Sequence, residues 1–357
     1  MNIALDNRVK EFSGIGIYTK SLYNEYKKQG HSVYLYNDNI CISRFSCLGK
    51  YIKFALRILK EQININRWLK MNNVKIYHVT KNMGVPFFTT CPVLVTIHDI
   101  IPHLYANKYL SNILERIYYE LAIRISIYRS QKIITISDFS KQELIKYYNV
   151  PSTKIAVIPL AFNSCFRVLK NDTYKEVLRQ KYNLQTKYIL TIGGSEYRKN
   201  IQRLINVYQN KDFENYELVI IGGKWRNIDL SKKYKQNKKI KFITDVEEKD
   251  LVLLYNMAEI FVFPSFYEGF GIPILEAMAC GTAVITSNVS SMPEVAGDAA
   301  LYFNPYDEKD MKDTILKVLN DVRLRNEMID RGLKRIKEYS WSKCAEKTLV
   351  VYGDLLN

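Results

Sequence analysis

The chain has 357 residues, of which 47% are hydrophobic and 25% charged. That mix excludes a disordered chain, a collagen-like repeat and a small disulfide scaffold, and the length fits two domains. Lys and Arg number 52 against 36 Asp and Glu, a formal net charge of +16, which points to an anionic partner: a membrane surface, nucleic acid or a phosphorylated substrate.

The excess is lopsided. Residues 1–165 carry 22 basic and 10 acidic side chains, the remainder 30 and 26. The opening Met-Asn-Ile-Ala-Leu-Asp lacks the basic stretch and apolar core of a signal peptide. No apolar run approaches the ~20 residues of a membrane span. Six cysteines, at 41, 47, 91, 165, 280 and 344, form no C-x-x-C pair. The expectation is a cytoplasmic protein with free thiols.

Taken in chain order, FSGIGIYT (12–19) reads as a loop with Gly14 and Gly16 leading into a helix over 15–29. Thr19 stands where a dinucleotide fingerprint would have its third glycine, so a turn and a phosphate contact both remain open. A strand is expected at 32–36. Residues 44–70 hold seven basic side chains and one acid, Glu61, interleaved with Tyr51, Phe54, Leu56, Ile58 and Trp68. This basic amphipathic segment either lies on anionic lipid or packs on the core with its charges in water. Strands follow at 76–79 and 93–97. His98 and Asp99 come directly after the second, where the imidazole can donate to a substrate hydroxyl or settle as a core histidine. His98, Asp99 and His103 have no further strong ligand nearby in sequence, so a metal is not expected. A helix at 111–130, a strand at 132–136, a capped helix start at SDFSK (Ser137 or Asp138) and a strand at 155–158 complete the first half. The boundary is expected within 166–173, giving domains 1–168 and 169–340, with a helix near 341–357 packing back on the first.

The second half repeats the rhythm, with strands at 188–192, 217–221, 240–243, 260–263 and 283–286 and helices at 200–209, 247–256 and 273–279. Alternating strands and helices without an internal repeat predict an α/β protein with two Rossmann-like parallel sheets, covered on both faces and facing each other across a cleft. Ligands in such folds sit outside the carboxyl ends of strands. Two segments have that placement. In LTIGGSEYRKN, Gly193 and Gly194 end a strand, and Arg198 and Lys199 stand before a helix, the wrong end for the helix dipole but a good one for a diphosphate. In FVFPSFYEGFGIPILEAMACG, Glu268 precedes a turn of Gly269, Phe270 and Gly271. Ile272 and Pro273 then open a helix whose N-terminus suits phosphate, and Glu276 lies one turn inside it. Carboxylates at those two places can read sugar hydroxyls. No D-x-D pair occurs, so a metal-held sugar nucleotide is not indicated.

The stretch from Glu268 to Glu276 resembles the E-x7-E motif of the retaining glycosyltransferases of family 4, which have the GT-B architecture. GGSEYRKNI is similar to that family's donor-diphosphate segment, and VTIHDIIP and ITISDFSK resemble its first-domain strand ends. The resemblance is strongest over 188–305. It implies that Glu268 contacts the donor sugar, Glu276 the ribose, and Arg198 and Lys199 the diphosphate. The backbone of Gly269, Phe270, Gly271 and Ile272 would contact sugar and phosphates, as would Gly194. Gly14 and Gly16 would meet the diphosphate from the first domain, His98 would sit by the sugar, and Val246 near the base. The residue before the basic pair is Tyr197, where many relatives have proline.

The resemblance further implies a metal-independent transfer of a hexose to a glycan or lipid-linked acceptor in bacterial cell-surface polysaccharide synthesis, with no resident cofactor. Mannose from GDP-mannose is the preferred donor. A UDP-sugar, or an epimerase that needs no acceptor, remains open. A nucleic-acid-binding reading explains the basic first half but not the Arg198, Lys199, Glu268 and Glu276 set. No nucleic-acid partner is therefore expected, while an anionic membrane, at the inner face of the cytoplasmic membrane, stays a candidate partner.

Overall fold

A computed structural model describes residues 1–9, 13–37, 50–170, 174–194, 196–222, 230–234 and 236–356, with the backbone alone at 50–59 and 231. Most of the basic 44–70 segment therefore falls outside the described side chains, as do Phe12, Ser195 and residues 171–173. The chain divides into two compact units, Met1–Leu160 with Trp341–Asn357, and Ala161–Ser340. The division precedes the expected 166–173 stretch because the chain after Leu160 already packs on the second unit. Phe166 meets the Tyr255 ring edge-on, and the Leu169 N–H donates 2.8 Å to the Asn256 side chain.

The first unit holds six strands: β1 (Asn2–Asp6), β2 (Ser32–Tyr36), β3 (Ile76–Val79), β4 (Val93–Ile97), β5 (Lys132–Thr135) and β6 (Ile155–Val157). All pair in parallel, in the order β2-β1-β3-β4-β5-β6. Every residue of β3 and β4 is buried, as a parallel strand covered on both faces requires. The strand β1 was not foreseen. Its five residues are too few to show a period, and its burial comes from neighbours far along the chain.

The Gly14–Lys28 helix starts earlier than expected. Ser13 is its cap, the Oγ accepting from the Gly16 N–H at 3.1 Å, so Gly14 and Gly16 form the first helical turn rather than a loop. Tyr18, Thr19, Leu22 and Tyr26 bury one face of that helix. The Trp341–Leu356 helix packs against it. A polar chain crosses this interface. The Tyr26 hydroxyl donates to Tyr352 Oη (3.3 Å), Tyr352 bonds His78 Nδ1 (2.7 Å), and His78 Nε2 bonds Thr96 Oγ1 (2.7 Å), which also meets Tyr18 Oη (3.0 Å). Burial, with His98 nearby, pushes His78 down to about 3, so its ring is neutral with one donor and one acceptor, and both are used.

The second unit holds β7 (Lys187–Ile192), β8 (Tyr216–Ile221), β9 (Ile240–Ile243), β10 (Ile260–Phe263), β11 (Val284–Ser287) and β12 (Ala300–Phe303). They are parallel, in the order β12-β11-β10-β7-β8-β9. Winding reverses between β7 and β10, which makes their carboxyl ends the switch point where such sheets bind ligands. The helices Ile201–Tyr208 and Glu308–Asn320 pack together on one face, with Ile205, Leu218, Ile220, Val262 and Ile315 in one core.

Tyr352→Phe should leave the buried His78 Nδ1 without its partner and cost about 1–3 kcal/mol of stability. A lowered Tm in calorimetry checks this, with far-ultraviolet circular dichroism unchanged.

Candidate active site

The loops after β7 and β10 are bound into one assembly. Tyr197–Lys199 form a single 3-10 turn, and Asn200 ends it with φ +54°. Asparagine tolerates this left-handed conformation better than most residues. Its side-chain amide donates to the Pro264 carbonyl (3.0 Å) and the Pro305 carbonyl (3.1 Å), while the Phe266 N–H donates 2.7 Å to the Arg198 carbonyl. The two chain segments are thus held in register by a side chain that local sequence gives no reason to single out.

This scaffold brings Arg198 and Lys199 onto Glu268. Arg198 Nη1 lies 2.5 Å from Glu268 Oε2, and Lys199 Nζ 2.7 Å from Oε1. Ser265 Oγ donates to the same Oε1 at 2.7 Å. Arg198 also donates to the Tyr267 carbonyl (3.2 Å), and its Nε is 2.7 Å from Glu196. Lys199 Nζ stands 4.9 Å from the centre of the Phe263 ring. Glu268 is buried. Burial alone would raise its carboxyl, but Lys199, Arg198 and Ser265 more than offset that and hold it below the usual carboxylate range. Burial lowers the Lys199 ammonium, with Glu268 opposing.

The backbone around Glu268 is equally constrained. Ser290, at φ +61°, accepts from the Glu268 N–H (3.0 Å) and donates to its carbonyl (2.6 Å). Ser291 donates 2.9 Å to the carbonyls of both Glu268 and Phe270. Gly269 and Phe270 are buried, and Gly271, at φ +104°, leads into the Ile272–Ala279 helix. A Cβ on Gly271 would sit 3.2 Å from Ile274 Cδ1. A Cβ on Gly222, after β8, would lie 1.9 Å from the Gly193 carbonyl oxygen, so those loops touch backbone to backbone. Gly194, by contrast, has nothing among the described residues within 4 Å of its missing Cβ.

Glu276 lies one turn into the helix but outside the hydrogen bonds around Glu268. The Tyr255 hydroxyl donates 3.0 Å to its Oε2. Burial, with Glu248 adding repulsion against the Tyr255 bond, pushes Glu276 up to about 7. Val246 is half-buried after β9, next to Asp245 at φ +54°.

In the first unit His98 is buried. Its Nε2 donates 2.9 Å to the Thr80 carbonyl, and its N–H donates to Asn82 Oδ1 (2.8 Å). Burial pushes it down to about 4, the Thr80 bond opposing, so it is a neutral imidazole with Nδ1 as its acceptor atom. His103 turns instead to Glu120, 2.5 Å away. Among the described residues no three His, Cys, Asp or Glu side chains are grouped to hold a metal ion. Gly14, with nothing among the described residues within 4 Å of its missing Cβ, begins the helix that follows β1. Sequence reasoning missed Ser265, Asn200, Ser290, Ser291, Tyr255 and Gly222. All but Tyr255, which lies in the Glu248–Met257 helix, follow one of the strands β7, β8, β10 and β11, and that position was their only signal.

Residues 12–164 match glycosyltransferase family 4, and residues 175–335 match the glycosyl transferases of group 1. The O-antigen chain mannosyltransferase RfbU of Salmonella typhimurium is 33% identical over 74% of this chain and 68% of its own length. The chain belongs to the family 4 glycosyltransferases. The O-antigen chain mannosyltransferase B of Escherichia coli is 39% identical over 66% of this chain. The chain spans 64% of that relative's length, and about a third of some longer ones. A sucrose-phosphate synthase from Thermosynechococcus elongatus, 19% identical and aligned over 99% of both chains, has the same fold at a TM-score of 0.78. This family 4 chain therefore has the GT-B fold, with one Rossmann-like sheet in each unit.

The folded protein holds the Glu276 proton more tightly than the unfolded chain does. Stability from this group is thus present in full below pH 4.5 and falls as the pH rises to about 7. Glu276→Gln should remove that fall, leaving the variant more stable than the parent at pH 8 by on the order of 3 kcal/mol and equal to it at pH ~4.5. Thermal unfolding across that range checks it.

Proposed function

We propose that the protein is a retaining, metal-independent hexosyltransferase that moves mannose from GDP-mannose to a glycan or lipid-linked acceptor in cell-surface polysaccharide synthesis. The observation that carries this reading is the convergence of Arg198 and Lys199 on Glu268 at the switch point of the second sheet. Arg198 and Lys199 are held, already oriented, against Glu268, with Glu196 on the Arg198 Nε, in loops that follow β7 and β10, and the Ile272–Ala279 helix also follows β10. A departing nucleoside diphosphate needs such preorganised charge, and these residues supply it. The mannosyltransferase names of the relatives support the sugar and the O-antigen type of product.

In this reading Glu268 meets the donor sugar, Glu276 the ribose, and Arg198 and Lys199 the diphosphate. The backbone from Gly269 to Ile272 and Gly194 line the sugar and phosphates, Val246 lies by the base, and Gly14, Gly16 and His98 act from the first unit. The acceptor oxygen bonds to the anomeric carbon on the face the phosphate leaves. The anomeric C–O bond breaks with its electron pair going to the phosphate, whose oxygen takes the acceptor proton. Ionised Glu276 accepts hydroxyl donors best, and its raised position makes ribose binding favour pH above about 7.

Lys199→Ala should lower kcat by ~10²-fold or more with the fold intact. Release of GDP from GDP-mannose with a mannoside acceptor is the assay, and the anomeric configuration of the product by NMR tests retention. Turnover with UDP-sugars alone overturns the GDP-mannose assignment.

A membrane surface completes the reading. The 44–70 segment is one candidate site, mostly outside the described side chains, and the described side chains supply a second. On the Ile113–Arg129 helix Leu114, Ile117, Tyr118, Leu121 and Tyr128 are exposed at spacings that share one face, with exposed Arg124 beside them. An apolar stripe flanked by arginine suits the interface of an anionic bilayer. No described helix is long and apolar enough to cross one. Cosedimentation with phosphatidylglycerol vesicles should be strong at low salt and weakened severalfold by Leu121→Asp; equal binding by the variant removes this surface from the reading.

A further inference from the structure

Three aromatic rings from three loops meet beside the Glu268 cluster. Tyr197 immediately precedes Arg198, Phe266 lies two residues before Glu268, and Tyr306 follows β12. Phe266 and Tyr306 are stacked, with centroids 4.9 Å apart and planes 16° apart. Tyr197 and Phe266 are 5.3 Å apart at 32°. The Arg203 guanidinium lies 5.4 Å from the centre of the Phe266 ring. Phe266 is buried, yet Tyr197 is 55% exposed and Tyr306 60% exposed.

The rings are held from beneath. Asn200 ties the Pro264 carbonyl, two residues before Phe266, to the Pro305 carbonyl, one residue before Tyr306. Arg203 adds a 2.6 Å bond to the same Pro305 carbonyl. The Tyr306 N–H donates 3.0 Å to Asn304. Two large rings are thereby fixed at the surface, where burial does not reward them and single exposed tyrosines would be free to move.

We propose that Tyr197, Phe266 and Tyr306 form a stacking platform for the pyranose rings of the acceptor glycan. A hexopyranose has a polar rim and a face of C–H groups. That face packs on an aromatic ring, while the phenolic hydroxyls of the tyrosines can reach the rim. A fixed ring pair binds with little loss of side-chain entropy, and a platform adjoining Arg198 and Glu268 sets the acceptor next to the donor's leaving group. The inference rests on the proposed transfer reaction and adds where its acceptor is read.

Saturation-transfer NMR with mannotriose on the full chain, in the presence of GDP, tests it. Wild-type protein should saturate the C–H protons of the sugar. Tyr197→Ala and Tyr306→Ala should each weaken mannotriose binding roughly three- to tenfold, the worth of one aromatic contact. Tyr197→Phe should retain it, whereas in the two alanine variants the acceptor KM should rise with the donor KM unchanged. GDP affinity and Tm should hold in all three variants, because the two tyrosines are largely exposed. Unchanged mannotriose binding in the alanine variants, or no mannotriose signal from a wild type that binds GDP, overturns the platform. Absence of GDP binding by the wild type instead overturns the reaction it rests on.

Discussion

A carboxylate buried between an arginine and a lysine organises the second unit. Ionised Glu268 away from water would be costly alone, and so would Lys199. Together with Arg198 and Ser265 they satisfy one another, and the arrangement survives only while all stay in place. The remainder of the site keeps them there. Asn200 and Ser290 both take left-handed backbone conformations to aim their side chains at the loops that carry the cluster. Such local strain is tolerable because several hydrogen bonds over-determine each position.

The first unit depends on a comparable but neutral device. Its C-terminal helix comes from the far end of the chain, and buried hydroxyls on Tyr26, Tyr352, Tyr18 and Thr96 run through His78 to join it to the sheet. The neutral imidazole is suited to this because it both donates and accepts. In the second unit the Glu268 cluster keeps its charges; in the first, the His78 network is neutral and serves packing. The same contrast separates His98, neutral and committed to the Thr80 carbonyl, from the cationic pair at the other sheet.

Much of the fold was legible before any coordinates. Strands such as Val93–Ile97 and Ile260–Phe263 are nearly continuous apolar runs, as parallel strands buried on both faces tend to be. The glycine turns and the Pro273 helix start were equally plain, because a missing Cβ or a fixed φ constrains the chain locally. The strands Asn2–Asp6 and Ala300–Phe303 were not, since so few residues show no period and their burial is conferred by partners far away in sequence. The cap at Ser13 also escaped notice, which is why Gly14 and Gly16 looked like a loop.

The linear order of residues by itself determined the chemical cast: two glutamates eight positions apart, a cationic pair after a glycine turn, and alternating elements that wind into two parallel sheets. Only tertiary structure decided which of them meet. Glu268 shares its oxygens with residues some seventy positions upstream, whereas Glu276, much nearer in sequence, turns to Tyr255. The reason is that periodicity and turn preference act over a few residues, while hydrogen bonds and ion pairs depend on distance in space. Strand order at the switch point sets that distance, and no short window of the chain encodes it.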